Sequence, residues 1–205
     1  MGLIKFKSYF RYAIAERVIA VFITTLSLSA CVQTPPEKQG VIVSKAPAVV
    51  LIEEKYGAHY LNAIKQMQRG EYSHSQRELL KLVTLVPDQP EYWGSYALSQ
   101  YKTGDLDGAL KSVNKALGMN ALLEAVINLK AVILIELGRV EEAEKWLLPA
   151  LTIYPSNPKL NYNLAYVYDI YFQDLAKAAH YYEQYLEIET EDSDVANWLK
   201  QIKAR

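Results

Sequence analysis

The chain has 205 residues, of which 51% are hydrophobic, 11% aromatic and 22% charged. This composition is typical of a folded domain and excludes an intrinsically disordered chain. The 22 basic and 23 acidic residues nearly cancel, and no basic stripe runs along the sequence, so nucleic acid is not an expected partner.

The first thirty residues have the pattern of a targeting segment. Four basic residues lie within residues 5–17, and an apolar run without any charge extends from Val18 to Val32. This run of 15 residues is shorter than the roughly 20 that cross a bilayer. We therefore favour a cleaved signal peptide over the alternative, an uncleaved membrane anchor.

The apolar run ends in Leu-Ser-Ala-Cys at residues 28–31. This ending resembles the lipobox of bacterial lipoproteins, in which the cysteine thiol receives a diacylglyceryl group and becomes the first mature residue. The resemblance implies a signal peptide over residues 1–30 and lipid on Cys31, the single cysteine, which has no disulfide partner within the chain. Many inner-membrane lipoproteins of Gram-negative bacteria resemble one another in having aspartate where this chain has Val32. The periplasmic face of the outer membrane is therefore the expected location, with the inner membrane as the alternative.

Residues 31–54 are predicted to be the lipidated cysteine followed by a flexible linker. Pro35, Pro36, Gly40 and Pro47 disfavour a regular helix there. The alternative for the apolar segment 41–43 is a strand added to a partner. Without residues 1–30 the chain holds 18 basic and 22 acidic residues, a formal charge of −4, so the expected mature surface is mildly acidic.

A pattern of small residues then recurs at a fixed interval. Gly70, Gly104 and Gly138 lie 34 residues apart, and glycine at such positions accepts the positive φ that ends a helix. Small residues stand at matching distances before and after each glycine, where they allow two helix backbones to approach closely. These are Ala63, Ala97 and Ala131 seven residues before, and Ser75, Ala109 and Ala143 five residues after.

This pattern resembles the tetratricopeptide repeat. The resemblance implies an all-α fold, a right-handed α-solenoid of about four helix pairs, here called units 1 to 4, plus a C-terminal capping helix. The predicted boundaries are 55–89, 90–123, 124–157 and 158–191 for the four units, and 192–205 for the cap. Unit 4 lacks the glycine, and its alanines are one residue further apart, which predicts a one-residue insertion at Phe172 and Gln173.

In this family the first helix of each unit lines the concave surface. The resemblance therefore implies a tyrosine-rich groove, and tyrosine suits peptide binding because it offers a large contact area together with a hydroxyl. The mildly acidic surface favours a neutral or basic segment as the partner. The alternative is that several of these tyrosines pack between adjacent units. The predicted groove residues are Tyr60, Ile64, Leu98, Tyr101, Asn128, Val132, Tyr162, Asn163 and Tyr166.

Motifs of catalysis are not found in the sequence. His59, His74 and His180 are far apart, and neither a zinc-protease pattern nor a glycine-rich phosphate loop occurs. We therefore expect no enzymatic activity, no cofactor, no metal site and no small-molecule substrate. One alternative remains open, an enzyme whose site is assembled by the fold around a histidine.

The expected function is that of a lipid-anchored periplasmic adaptor that binds another protein of the cell envelope. Small repeat lipoproteins resemble pilotin-like factors, which help pilus or secretion pores to assemble in the outer membrane. The alternative is an adaptor that regulates cell-wall hydrolases. The sequence does not distinguish these two pathways.

Overall fold

The computed structural model describes residues 47–204, with side chains described from Tyr56 onward. The predicted signal peptide, Cys31 and most of the predicted linker lie outside these residues, and the last part of that linker, residues 47–54, is helical instead. Within them the chain is all-helical and has no strand. The α-helices are α1 (Pro47–Gln68), α2 (Tyr72–Leu85), α3 (Pro90–Thr103), α4 (Leu106–Met119), α5 (Glu124–Glu136), α6 (Val140–Ile153), α7 (Pro158–Tyr166), α8 (Leu175–Leu186) and α9 (Ser193–Lys203).

The chain divides into two compact parts, Met1–Ala58 and His59–Arg205. Of the first part, only the beginning of α1 is described. The second part contains the repeat. Consecutive helices contact one another from α2 to α9, and α3 also contacts α5, as α5 contacts α7. This is the stacking of helix pairs in a row that defines a solenoid.

The 34-residue interval sets the ends of the helices. Helices α2, α4 and α6 each have 14 residues and begin 34 residues apart. Gly70, Gly104 and Gly138 all have positive φ, at 77°, 90° and 73°. The left-handed conformation predicted for the three glycines is therefore confirmed. It ends each first helix and redirects the chain into the second.

The small residues lie where helices cross. Ala63, Ala97, Ala109, Ala131 and Ala143 have 0% exposed surface. A methyl side chain at these points lets helix axes approach to about 8–10 Å. Larger side chains, such as those of Leu79, Val113, Ile133 and Leu147, fill the remaining interior. The small residues therefore set the spacing, and the large ones supply the buried apolar area that stabilises the stack.

Unit 4 accommodates its extra residue in a π-helix. Helix α7 continues directly into the π-helix Val167–Phe172, and Gln173 follows with φ 55° and ψ 29°. Gln173 thus takes the left-handed position that glycine holds in the other units. It lies 35 residues after Gly138 instead of 34, so the structure places the irregularity at the residues where the sequence indicates an insertion.

Helix α9 covers the last helix pair. Val195 and Ile202 are buried, at 0% and 8% exposure, whereas Asn197, Lys200 and Gln201 are exposed. The Asp192 carboxylate accepts a hydrogen bond from the backbone N–H of Val195 and caps the helix. Such a one-sided helix closes a solenoid, because it buries the end of the stack and presents a polar face to water.

Candidate functional site

The first helices of neighbouring units are joined by side-chain hydrogen bonds that repeat along the stack. Tyr60 Oη and Ser95 Oγ share a hydrogen bond of 2.8 Å, and Tyr101 Oη donates to Glu136 Oε1 at 2.7 Å. Each bond joins a residue to the one 35 positions later, which is one repeat plus one residue. The same spacing therefore joins unit 1 to unit 2 and unit 2 to unit 3.

A third bond of this kind is fully buried. Asn163 Nδ2 donates to Asn128 Oδ1 at 2.8 Å, and both side chains are only 2% exposed. A hydrogen bond between buried amides contributes about 1 kcal/mol to the stability of the fold. Removing one partner costs more than that, because the other is left buried without a hydrogen bond. The two asparagines therefore fix the register of unit 4 on unit 3.

Burial divides the predicted groove residues into two sets. Five of them have little or no exposed surface and contribute to packing within and between units. These are Tyr101 at 6%, Asn128 at 2%, Val132 at 0%, Tyr162 at 7% and Asn163 at 2%. The other four, Tyr60, Ile64, Leu98 and Tyr166, are half-buried. The surface that a partner could contact is therefore smaller than the sequence indicates. Only some of the predicted residues on the first helices contribute to it.

Tyr60 belongs partly to the contact between units. Its ring centroid lies 4.7 Å from that of Tyr92, at an interplanar angle of 33°, and its hydroxyl is bound to Ser95. Burial raises the pKa of Tyr60, and the carboxylate of Glu91 adds to the rise. Its hydroxyl stays protonated at neutral pH and joins units 1 and 2.

Two adjacent apolar side chains are exposed where the first helix of unit 4 ends. Ile170 and Tyr171 are 39% and 43% exposed, and both belong to the π-helix. The Tyr171 ring meets the half-buried Tyr166 ring edge to face, with centroids 5.9 Å apart. We call Tyr166, Ile170 and Tyr171 the aromatic patch.

Electrostatics of the aromatic patch favour uncharged tyrosine. Burial raises the pKa of Tyr166 to about 12, with further contributions from Tyr171, Asp169 and Glu136. The two carboxylates therefore lie close enough to act on the Tyr166 hydroxyl. The patch combines apolar rings, hydroxyl groups and negative charge, which is a surface that can bind a neutral or basic peptide.

A second group of aromatic rings is structural. Tyr168 stacks on Tyr181, with centroids 5.7 Å apart and planes 7° from parallel, and its hydroxyl donates to Glu144 at 2.6 Å. Tyr182 is fully buried, and desolvation holds its pKa well above the usual range, with Tyr162 and Asp169 adding to the rise. These contacts rigidify the junction of units 3 and 4 beneath the aromatic patch.

The three histidines do not form a site in the part of the chain that the structure describes. His59, His74 and His180 are all exposed. His180 lines an open cleft of about 630 Å³ between α6 and α8, whose lining contains Tyr181 and Gln184 and no carboxylate. Over these same residues, no cluster of histidine, cysteine and carboxylate side chains could hold a metal ion. None of the helices between residues 47 and 204 has the length and apolar character that crossing a membrane requires.

Comparison with protein families finds the same repeat. Models of the tetratricopeptide repeat match residues 60–122 as one block and residues 125–157 and 158–192 as single units. A search of the curated proteins found no match.

Solved structures share the fold. The MamA 41-end protein from Desulfovibrio magneticus RS-1 is 17% identical with a TM-score of 0.66, over 74% of this chain and 85% of that one. Pseudomonas aeruginosa pilF is 24% identical with a TM-score of 0.66, over 73% and 68%. A thermophilic tetratricopeptide repeat protein of Thermus thermophilus is 20% identical with a TM-score of 0.59, over 77% and 90%.

Family matches therefore run through all four units, from residue 60 to residue 192, and cover well over half of the chain. The identities to the solved structures are low and show the fold alone. No enzyme family is indicated. The fold is that of a scaffold for protein–protein interaction, and the chain belongs to the tetratricopeptide repeat family.

Proposed function

We propose that this protein is a non-enzymatic, lipid-anchored adaptor on the periplasmic face of the outer membrane, which binds a segment of another envelope protein through the aromatic patch. The observation that carries the binding role is the exposure of Ile170 and Tyr171 beside Tyr166 on a first helix. Exposed rings on a rigid support are typical of residues that dominate a protein interface. The lipid anchor rests on the resemblance of residues 28–31 to a lipobox.

The charge near the aromatic patch limits the partner. Glu136 is exposed, and both Glu136 and Asp169 act on Tyr166. An acidic peptide would be repelled by these two carboxylates, whereas a neutral or basic one would be attracted. We therefore propose a partner segment with one or more apolar side chains and without net negative charge.

The specific role we propose is that of a pilotin-like factor for a pilus or secretion pore. Small repeat lipoproteins resemble such factors, and the fold is shared with Pseudomonas aeruginosa pilF. An adaptor for cell-wall hydrolases would have the same fold and anchor, and would differ in the partner it binds.

The test is affinity capture from solubilised membranes with the double variant Ile170→Ser, Tyr171→Ala. Because both side chains are substantially exposed, we expect an unchanged circular dichroism spectrum and a loss of bound partner of about tenfold or more. The matched control is Leu80→Ser, Leu148→Ala, which changes two exposed apolar residues on second helices.

Recovery of a pore subunit that depends on the aromatic patch would support the pilotin-like role. Recovery of a hydrolase on the same basis would replace that role with the cell-wall one. If the patch variant captures as much of every partner as the control does, the binding surface lies elsewhere and the proposed site is wrong.

A further inference from the structure

A row of exposed apolar side chains runs along one edge of the repeat, away from the aromatic patch. Leu85, Met119 and Ile153 are the last residues of α2, α4 and α6, and their exposures are 61%, 39% and 54%. In unit 4, Ile188 is 42% exposed and lies 35 residues after Ile153, as the inserted residue requires. The four side chains therefore occupy the same position in the four units.

Leu122 extends this row between units 2 and 3. It is 61% exposed, and its backbone carbonyl accepts a hydrogen bond of 2.8 Å from Tyr154 Oη. Tyr154 directly follows Ile153, so this bond holds Leu122 beside the end of α6. We call Leu85, Met119, Leu122, Ile153 and Ile188 the apolar edge.

The apolar edge is not part of the interior. The residues that fill the core at the ends of these helices are others, among them Leu82, Ala116 and Ala150, each 5% exposed or less. Single exposed leucines are ordinary on protein surfaces, but a continuous apolar row indicates an interaction site. The charge around the apolar edge indicates which kind of partner can bind there.

The segments that form the apolar edge carry a net negative charge. The edge consists of the four segments that lead from a second helix into the following helix, 82–93, 116–127, 150–161 and 185–196. These segments contain eight aspartate and glutamate residues and one basic residue, Lys159. The segments at the opposite edge, 66–77, 100–111, 134–145 and 168–179, contain nine acidic and seven basic residues. The segments at the apolar edge therefore have a formal net charge of −7 against −2 at the opposite edge, and five of their eight acidic residues lie in 185–196.

Lys81 and Lys115 lie one turn before Leu85 and Met119. Lys81 is paired with Glu78 at 2.9 Å, and the ammonium group of Lys115 lies 4.0 Å from the centre of the Trp93 ring. Both lysines thus have local partners on the stack itself. An approaching molecule meets an apolar row with most of its carboxylates at the unit 4 end.

We infer that the apolar edge is a second docking surface, and that its occupant is a cationic amphipathic segment of a partner protein. Apolar side chains of the segment would cover the row, and its lysines or arginines would pair with the bordering carboxylates. A second copy of this chain would bring two acidic edges together, and an anionic lipid surface would also be repelled. The surface is separate from the aromatic patch, so the protein could hold two segments at once.

The test uses the purified full-length chain and two synthetic amphipathic helices, one of leucine and lysine and one of leucine and glutamate with the same pattern. We expect the lysine peptide to bind and to shift backbone amide resonances at and around the apolar edge. We expect the glutamate peptide not to bind. Binding should weaken as the salt concentration rises, because the pairing is partly electrostatic.

Variants of the edge residues distinguish binding at the apolar edge from non-specific electrostatic binding of the lysine peptide. Met119→Gln with Ile153→Gln should weaken binding of the lysine peptide by about tenfold, because two apolar contacts are lost. Leu80→Gln with Leu148→Gln changes two exposed leucines outside the row and should leave it unchanged. The aromatic-patch variant should also leave binding of the lysine peptide unchanged. Failure of the inference about the apolar edge is therefore distinguishable from failure of the proposed function.

Three results would overturn the inference. The first is equal binding of the lysine peptide by the edge variant and the native chain. The second is a dimer of the native chain that the edge variant abolishes, which would make the occupant a second copy. The third is binding to anionic phospholipid vesicles that the edge variant abolishes, which would make the occupant a membrane surface.

Discussion

Close contact between helices depends on single residues without a bulky side chain, and Gly94 is one such residue. It is buried within α3, and a Cβ atom at this position would lie 2.7 Å from Cγ2 of Val126, in α5. Glycine inside a helix costs about 1 kcal/mol relative to alanine. The helix tolerates this cost because the backbone of α3 must come within contact of the next unit.

At this scale we expect Gly94→Ala to destabilise the protein by about 1–2 kcal/mol, since Val126 would have to move and its β-branched side chain is restricted at χ1. Gly118→Ala is the matched control, because Gly118 is exposed in α4 and a Cβ there would meet nothing within 4 Å. That change should stabilise the protein by about 0.5 kcal/mol through helix propensity. Urea unfolding measures both, and equal effects of the two changes would refute the close contact.

The buried tyrosines and asparagines show the limit of residue-scale prediction. Tyr101, Asn128 and Tyr162 have the sequence positions of groove residues, yet they are nearly covered by neighbouring helices. Polar side chains in a row are compatible both with an open surface and with hydrogen bonds between units. Only the positions of the neighbouring units decide between these two arrangements.

At the scale of the element, the turn of unit 4 differs from the other three. Gly70, Gly104 and Gly138 adopt positive φ without strain, whereas Gln173 does so with a full side chain. The left-handed conformation costs roughly 1–2 kcal/mol for such a residue. The π-helix before it carries the extra residue and brings Ile170 and Tyr171 to the surface, and π-helical turns are frequent at functional sites.

We predict that Gln173→Gly raises the free energy of unfolding by roughly 0.5–1 kcal/mol. Glycine removes the backbone strain of the folded state, and its greater conformational freedom in the unfolded chain offsets only part of this gain. The reverse change at the equivalent position, Gly104→Gln, should lower it by roughly 1 kcal/mol. A side chain at Gly104 would meet open space, so this loss would come from the backbone alone. The midpoint of urea unfolding at an unchanged slope is the measurement. A destabilised Gln173→Gly variant would contradict the assigned backbone conformation.

At the scale of the whole molecule, the proposed adaptor combines two partner surfaces with a lipid anchor. The aromatic patch lies at the end of the first helix of unit 4, and the apolar edge lies at the ends of the second helices of all four units. Buried alanines and hydrogen bonds between units hold both surfaces on a rigid stack. In our proposal, lipid on Cys31 confines this stack to a membrane surface, where binding a second protein also localises it.

The anchor predicts that the native protein incorporates labelled palmitate in a Gram-negative host and fractionates with membranes, whereas Cys31→Ala incorporates none. Acyl chains bind a membrane by about 0.8 kcal/mol per buried methylene group. Residues 32–205 exported behind a cleavable signal peptide should therefore be found in the soluble periplasmic fraction. Label in the Cys31→Ala variant, or membrane association of the truncated chain, would show that the anchor is not lipid on Cys31.

Sequence alone determined the helical repeat, its 34-residue interval and the alanines at the helix crossings, because those features depend on local backbone preference and on side-chain size at fixed spacing. Glycine permits the left-handed turn, and alanine permits the crossing, wherever the units are placed. The irregular turn in unit 4 could also be located, since one extra residue displaces every later position. Which tyrosines are covered, which residues form the aromatic patch and the apolar edge, and that Gln173 is left-handed were decided only by the tertiary structure. Exposure depends on neighbouring units packed from distant parts of the chain, and a residue's own sequence context does not contain them.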